Sequence, residues 1–165
     1  MSDKYYYLVA SLPYLRFGRT APTSSEEFLS ECGKWLSPED MKEMRLARLA
    51  RYSSSGEEKG VLNEWKAFDR ALREAVAAIR SGEKASGERI QETAKAIMDQ
   101  ETPLLREKLF EETRWDFLDG KEASYFFDVN RLVIYYLKLQ ILERLDIFDK
   151  DKGEKIFYDA CEVTI

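Results

Sequence analysis

Histidine is absent from this chain. That removes the commonest general base near neutral pH and the commonest metal ligand. Cysteine occurs twice, as Cys32 and Cys161, far apart and in no C-x-x-C pair. Each sits among apolar neighbours at helical spacing, which reads as buried free thiols in a reducing compartment, with a disulfide as the other reading. The chain has 8 glycines and 4 prolines, too few turn residues for a many-stranded sandwich or barrel. No uninterrupted apolar run reaches about 18 residues, so no membrane span is expected. The N-terminus has no charged region leading into an apolar stretch and a small-residue cleavage site, so no secretion signal is expected either. A cytoplasmic location follows, one that leaves room for docking on a membrane complex. The net charge of -5 argues against a nucleic-acid binder, which carries a basic excess. Phosphate-loop, dinucleotide-binding and nucleophile-elbow motifs are all missing.

Hydrophobic residues make up 44% of the 165 positions and charged residues 35%, the composition of one solvated, helix-rich domain. The stretch Tyr125 to Leu145 organises it. It contains neither glycine nor proline. One helical face carries Phe126, Val129, Val133, Tyr136, Leu137 and Ile141, and a second carries Leu132, Tyr135, Leu139 and Leu142. A helix apolar on nearly all sides must be covered by neighbours. Asp128, Asn130, Arg131, Lys138, Gln140, Glu143 and Arg144 interrupt it too often for a lipid environment. The expectation is an all-α, antiparallel multi-helix domain built on a central buried helix at about residues 122–147. Residues 1–165 form a single domain, with 1–55 a possible sub-lobe packed on 57–165.

The other elements follow from periodicity and punctuation. Residues 5–12 fit either a strand or a helix; a lone strand would leave its backbone unpaired, which favours a helix ended by Pro13. Residues 16–23 read as a loop. Ser24 and Glu27 have capping-box spacing and open a helix whose apolar face is Phe28, Leu29, Cys32, Trp35 and Leu36. Ser37 and Pro38 start the next helix, with Met41, Met44 and Leu49 inward, joined by Tyr52. From Glu57 to about Arg80 the apolar period is clean, through Val61, Leu62, Trp65, Phe68, Leu72, Val76 and Ile79. The turn at 81–87 predicts a helical hairpin with a partner helix carrying Ile90, Ala94, Ile97 and Met98. Pro103 then kinks that helix or opens a new one capped by Thr102. The segment that follows holds Leu105, Leu109, Phe110, Thr113 and Phe117 on one side, with Trp115 and Leu118 nearby, and Asp119-Gly120 is expected to stop it. A short helix is expected in the tail after Gly153.

The search for chemistry returns little. Asp149, Asp151 and Gly153 suggest a calcium loop, but Glu154 and Ala160 stand where its glycine and its last glutamate belong. The pairs Glu26-Glu27, Glu57-Glu58 and Glu111-Glu112 are adjacent in sequence and do not converge on a helix, so solvated faces are expected. Arg45, Arg48 and Arg51 share a side, read as a solvated basic face over a binding patch. No nucleophile–base pair is evident. Asp128 fits the first turn of the central helix, with Arg131 placed to pair with it at i+3. The surplus of tyrosine and tryptophan points to a protein interface.

Two blocks carry a resemblance. One is Tyr-Tyr-Tyr-Leu-Val-Ala-Ser-Leu-Pro-Tyr-Leu at 5–15, with Ser-Ser-Glu-Glu-Phe-Leu and Trp-Leu-Ser-Pro-Glu-Asp after it. The other is Arg-Trp-Asp-Phe-Leu-Asp at 114–119, with Tyr-Phe-Phe-Asp-Val-Asn-Arg-Leu and Leu-Lys-Leu-Gln-Ile-Leu-Glu-Arg after it. Together they resemble an uncharacterised bacterial family encoded among the subunits of V-type (archaeal-like) ATP synthases. More weakly, the chain resembles the C/d-type funnel of V-type ATPases, the helical component between central stalk and membrane ring. That funnel is longer and has related helical lobes, and Pro13 breaks the first helix here, so the likeness extends to a partial or reduced version. The resemblance implies a non-catalytic accessory or stalk subunit, needing no cofactor and no metal, with stalk or ring subunits as partners. It marks Tyr6, Arg16, Phe17, Asp128, Asn130 and Arg131 as candidate partner contacts. The alternatives are a transient assembly factor for the same complex and a helical-bundle enzyme with a carboxylate site.

Overall fold

A computed structural model describes residues 5–50, 56, 58–83 and 87–148. The expectations for Arg51, Tyr52, Glu57, Cys161, the residues from Asp149 to Gly153 and the tail helix lie outside the described residues. The described chain is all-α. Its helices are α1 Tyr6–Ser11, α2 Ser25–Trp35, α3 Pro38–Leu46, α4 Gly60–Ser81, α5 Glu88–Met98, α6 Pro103–Glu122 and α7 Val129–Ile147.

Local chemistry sets most of the boundaries. α1 ends where Leu12 turns extended, because a residue before proline is pushed out of the helical region. Ser24 and Glu27 form the capping box of α2, each accepting a backbone N–H of the other. Ser37 caps α3, with Pro38 in the first turn. Thr102 caps α6, and Pro103 opens a new helix instead of kinking the old one. Gly82, at φ 76°, closes α4 in the left-handed conformation and turns the chain toward α5.

Ion pairs and ring stacking fix the register. Between α4 and α6, Glu64 meets Lys121, Phe68 stacks on Phe117, and Asp69 meets Arg114. Between α6 and α7, Glu122 meets Arg131, Asp119 meets Lys138, and Glu111 meets Arg144. One number rises as the other falls in both sets, so α6 runs antiparallel to both α4 and α7. The core around α7 takes side chains from α1 to α4, α6 and the loop residue Leu15. A second, smaller core of Leu72, Ala75, Val76, Ala94 and Ile97 holds the α4–α5 hairpin together.

α7 is enclosed as its composition requires, with an unbroken buried run from Leu132 to Leu139. Each fully buried leucine or isoleucine there stabilises the fold by about 1.5–3 kcal/mol relative to exposure. Its polar residues are sockets for its neighbours. Asn130 Oδ1 accepts the Val61 N–H at 3.0 Å, serving the start of α4, which has no side-chain cap of its own. Gln140 Nε2 donates to the Ala47 carbonyl at 2.8 Å and its Oε1 accepts from Leu49 N, holding the chain as it leaves α3. Glu143 accepts from Ser25 N and Ser25 Oγ at 2.6 and 2.7 Å, where a carboxylate meets the positive end of α2. The side chains that rule out a bilayer are therefore those that fix four helices, α2, α3, α4 and α6, around one axis.

Five expectations need correction. The central helix begins at Val129, not near 122 or Tyr125, because Asp128 caps it; Phe126 lies before it and is 64% exposed. Asp119-Gly120 does not stop α6, which runs on to Glu122 with Lys121 and Asp119 tied to α4 and α7. Glycine costs only about 0.5–1 kcal/mol inside a helix, too little to end one by itself. Trp35, expected inward, is 59% exposed and donates Nε1–H to Glu31 on its own helix. Leu105 is likewise exposed at the start of α6. Of the acidic pairs expected on solvated faces, Glu111 is wholly buried because two arginines reach it, and Glu58 is buried as well. Cys32 fits the expected inner face of α2: it is free and buried, and burial pushes its thiol up to about 12.

Candidate protein-interaction site

α1 and the α6–α7 connection carry aromatic side chains that the core does not take. Tyr5 anchors them: buried, it donates its N–H to the Phe127 carbonyl at 3.1 Å and its hydroxyl to Asp40. Tyr6 is half exposed and packs on the Phe127 ring at 4.6 Å and on Tyr7 at 5.5 Å. Tyr7, Tyr14 and Phe126 are exposed by 83%, 80% and 64%. Tyr135, from α7, donates its hydroxyl to the Pro13 carbonyl at 3.0 Å, pinning the turn that presents Tyr14. Burial pushes the Tyr135 phenol up to about 12, so it remains a donor at any ordinary pH.

A polar cluster supports this surface from below. Asp128 Oδ1 accepts the Arg131 N–H as the cap of α7, and Asp128 Oδ2 accepts from Asn130 Nδ2 at 2.8 Å. The Arg131 guanidinium turns to Glu122, 3.4 Å from its carboxylate and 3.3 Å from its carbonyl, and does not pair with the Asp128 carboxylate as i+3 spacing suggests. Lys138, 3% exposed, reaches Asp119 and Glu122 at 2.7 and 2.9 Å and lies over the Trp115 ring. A cleft of about 110 Å³ lies between this cluster and the Leu12–Leu15 turn.

The structure therefore divides the candidate contacts. Tyr6 stands at the aromatic surface, and Arg16 is exposed with its guanidinium over Tyr14. Phe17 packs edge-on against Trp115 and belongs mainly to the core. Asp128 and Asn130 are engaged in holding the starts of α7 and α4, and Arg131 joins α7 to α6. Tyr7, Tyr14 and Phe126 were not among the expected contacts; their signal was a run of aromatics longer than one helix face can bury.

A second polar constellation lies at the far side of the bundle. Asp69 accepts from Arg73 and Arg114, Glu111 from Arg114 and Arg144, and Glu107 from Arg144. This alternating chain of charges joins α4, α6 and α7. Burial raises the Glu111 carboxyl above its usual range, and the guanidinium of Arg114 opposes that. The signal was present in sequence: Asp69 sits on the apolar stripe of α4 with Trp65, Leu72 and Val76, and Arg114 on that of α6 with Leu118. Among the described residues no group of three or more acidic or thiol side chains comes together as a metal site, and no helix is long and apolar enough to cross a membrane.

Comparison with known proteins places one part of the chain. Residues 87–162 match the model of a family described as a protein of unknown function, DUF2764. Within the described residues that stretch contains α5, α6 and the central helix α7. No curated protein and no solved structure matches the chain.

Proposed function

We propose that this protein is a non-catalytic accessory or stalk-type subunit of a V-type ATPase or ATP synthase, acting through protein contacts. The observation that carries the reading is the exposure of the aromatic side chains Tyr6, Tyr7, Tyr14 and Phe126 on segments tied to the core through Tyr5 and Tyr135. Tyrosine and phenylalanine offer large contact areas with few rotatable bonds, which is why they concentrate at interface hot spots. The partner class comes from the likeness of the two sequence blocks to a family encoded with V-type subunits. A bundle whose helices are socketed into one buried axis suits a part that sets spacing or passes force. Nucleotide hydrolysis and ion movement then belong to other subunits, and the protein sits at the cytoplasmic side of the complex, peripheral to the membrane.

The test is capture of the purified protein by V-type stalk subunits and by the isolated membrane ring. Wild type is expected to bind one of them. A Tyr7→Ser, Tyr14→Ser, Phe126→Ser variant is expected to keep its helical circular dichroism and lose binding, since these side chains are already in water. Absence of wild-type binding to every V-type subunit, or undiminished binding by the folded triple variant, overturns the proposal. Presence in the finished complex, as against intermediates only, separates a permanent subunit from an assembly factor.

A further inference from the structure

We infer that the cleft between α4, α5, α6 and α7 binds a small phosphate-bearing molecule. The cleft holds about 210 Å³ and is lined by Arg73, Arg80, Arg106, Arg114 and Arg144, with Glu107 as its one acidic wall residue. Five arginines in one concavity stand out on a chain whose net charge is -5. The ion pairs account for three of them: Arg73, Arg114 and Arg144 are balanced by Asp69, Glu111 and Glu107. Among the described residues those pairs do not involve Arg80 or Arg106.

The guanidinium groups are held ready. Arg114 lies 4.6 Å from the Phe110 ring centre and Arg73 5.8 Å from it, so one aromatic side chain positions both. Arg106 Nε donates to the Gln100 carbonyl at 3.0 Å, fixing its guanidinium where α5 passes into α6. Arg114 is 1% exposed, and its Nη2 makes no hydrogen bond although it lies 2.6 Å from Asp69 Oδ1. That close carboxylate holds the guanidinium in place at the wall of the cleft. The guanidinium fork matches phosphate oxygens in pairs, and prior immobilisation lowers the entropy lost on binding. Val76, Ile97 and Met98 form an apolar wall, giving the ligand's organic part a surface to cover. At about 210 Å³ the cleft is smaller than the roughly 300–1,000 Å³ of drug-sized pockets, which restricts the ligand to a small one.

Titration calorimetry of the full chain with pyrophosphate, at constant ionic strength, tests this, with malonate as the carboxylate control. The expected result is saturable 1:1 binding, weaker by about tenfold or more in Arg80→Ala and in Arg106→Ala, since a charge-assisted contact is lost in each. Both positions lie outside the ion-pair network, so the variants keep the fold. Arg45→Ala with Arg48→Ala removes two exposed arginines elsewhere and is expected to bind as wild type does. Malonate is expected to bind less tightly than pyrophosphate. No saturable binding by wild type, equal loss in the Arg45/Arg48 control, unchanged binding in both cleft variants, or preference for malonate overturns the assignment.

Discussion

Replacing Gly60 by alanine probes the joint between the starts of α4 and α7, 69 residues apart at the Val61–Asn130 bond. Gly60 has φ +50°, and a Cβ built there falls 2.2 Å from Asn130 Oδ1. Two costs follow. A side chain in the left-handed region costs about 1–2 kcal/mol. Asn130 must also swing aside, giving up its bonds to Val61 N–H and to Asp128. Loss of a helix-capping acceptor costs about 0.5–2 kcal/mol. The sum is a destabilisation of about 1.5–4 kcal/mol. Urea unfolding followed by far-ultraviolet circular dichroism reads this as a midpoint drop on the order of 1 M, given urea slopes of roughly 1–3 kcal/mol per M. Asn130→Ala supplies the second leg of a double-mutant cycle. In that background there is no Oδ1 to displace, so Gly60→Ala is expected to cost only the conformational strain, about 1–2 kcal/mol. A Gly60→Ala protein within about 0.5 kcal/mol of wild type, or a cost unchanged by Asn130→Ala, refutes the socket.

Three further outcomes are expected. Gly33→Ala and Gly120→Ala lie inside α2 and α6 with nothing within 4 Å of the added Cβ, so each should stabilise by about 0.5–1 kcal/mol and the two should add, as thermal or urea melts will read. Glu111→Ala leaves the buried Arg114 with Asp69 alone and takes from Arg144 its buried partner; a loss of about 3–5 kcal/mol is expected, and one below about 1 kcal/mol would show the network to be dispensable. Glu43 has its carboxyl raised above 4.5, first by burial and then by Asp40, and its Oε1 is buried without a hydrogen bond. Its unfolded form releases the proton first, so wild type loses stability as pH rises from the unfolded value through the raised one. Glu43→Gln should therefore be the more stable protein at pH 7, with the gap closing as pH falls below the usual carboxylate range; a gap that widens on acidification contradicts the sign.

How much of this was legible beforehand depended on whether the cause was local. The caps at Ser24, Ser37 and Thr102, the break before Pro13 and the reversal at Gly82 are settled by a few neighbouring residues, and each was readable. Gly120 was not, because one glycine costs a helix too little to stop it, and α6 runs on to Glu122 where Lys121 and Asp119 pair with other helices. Trp35 fits the inner face of α2 by spacing, yet its position at the last turn of the helix leaves it outside the core. The aromatic surplus was visible as a count, but which rings are left over was not. The arginine network was visible only as polar residues on apolar stripes, with no indication that three helices bring them together.

Composition and periodicity thus determined that this is an all-α domain with a buried central helix, because burial of a nearly all-apolar helix has no other solution in water. They also determined where most helices begin, because capping satisfies backbone donors within one turn. Only the tertiary structure decided what the polar residues of that helix do. Asn130, Lys138, Gln140, Glu143 and Arg144 look in sequence like interruptions. In the fold each meets a backbone end or an opposite charge on a different helix, and such partners are set by packing register, which no local spacing encodes.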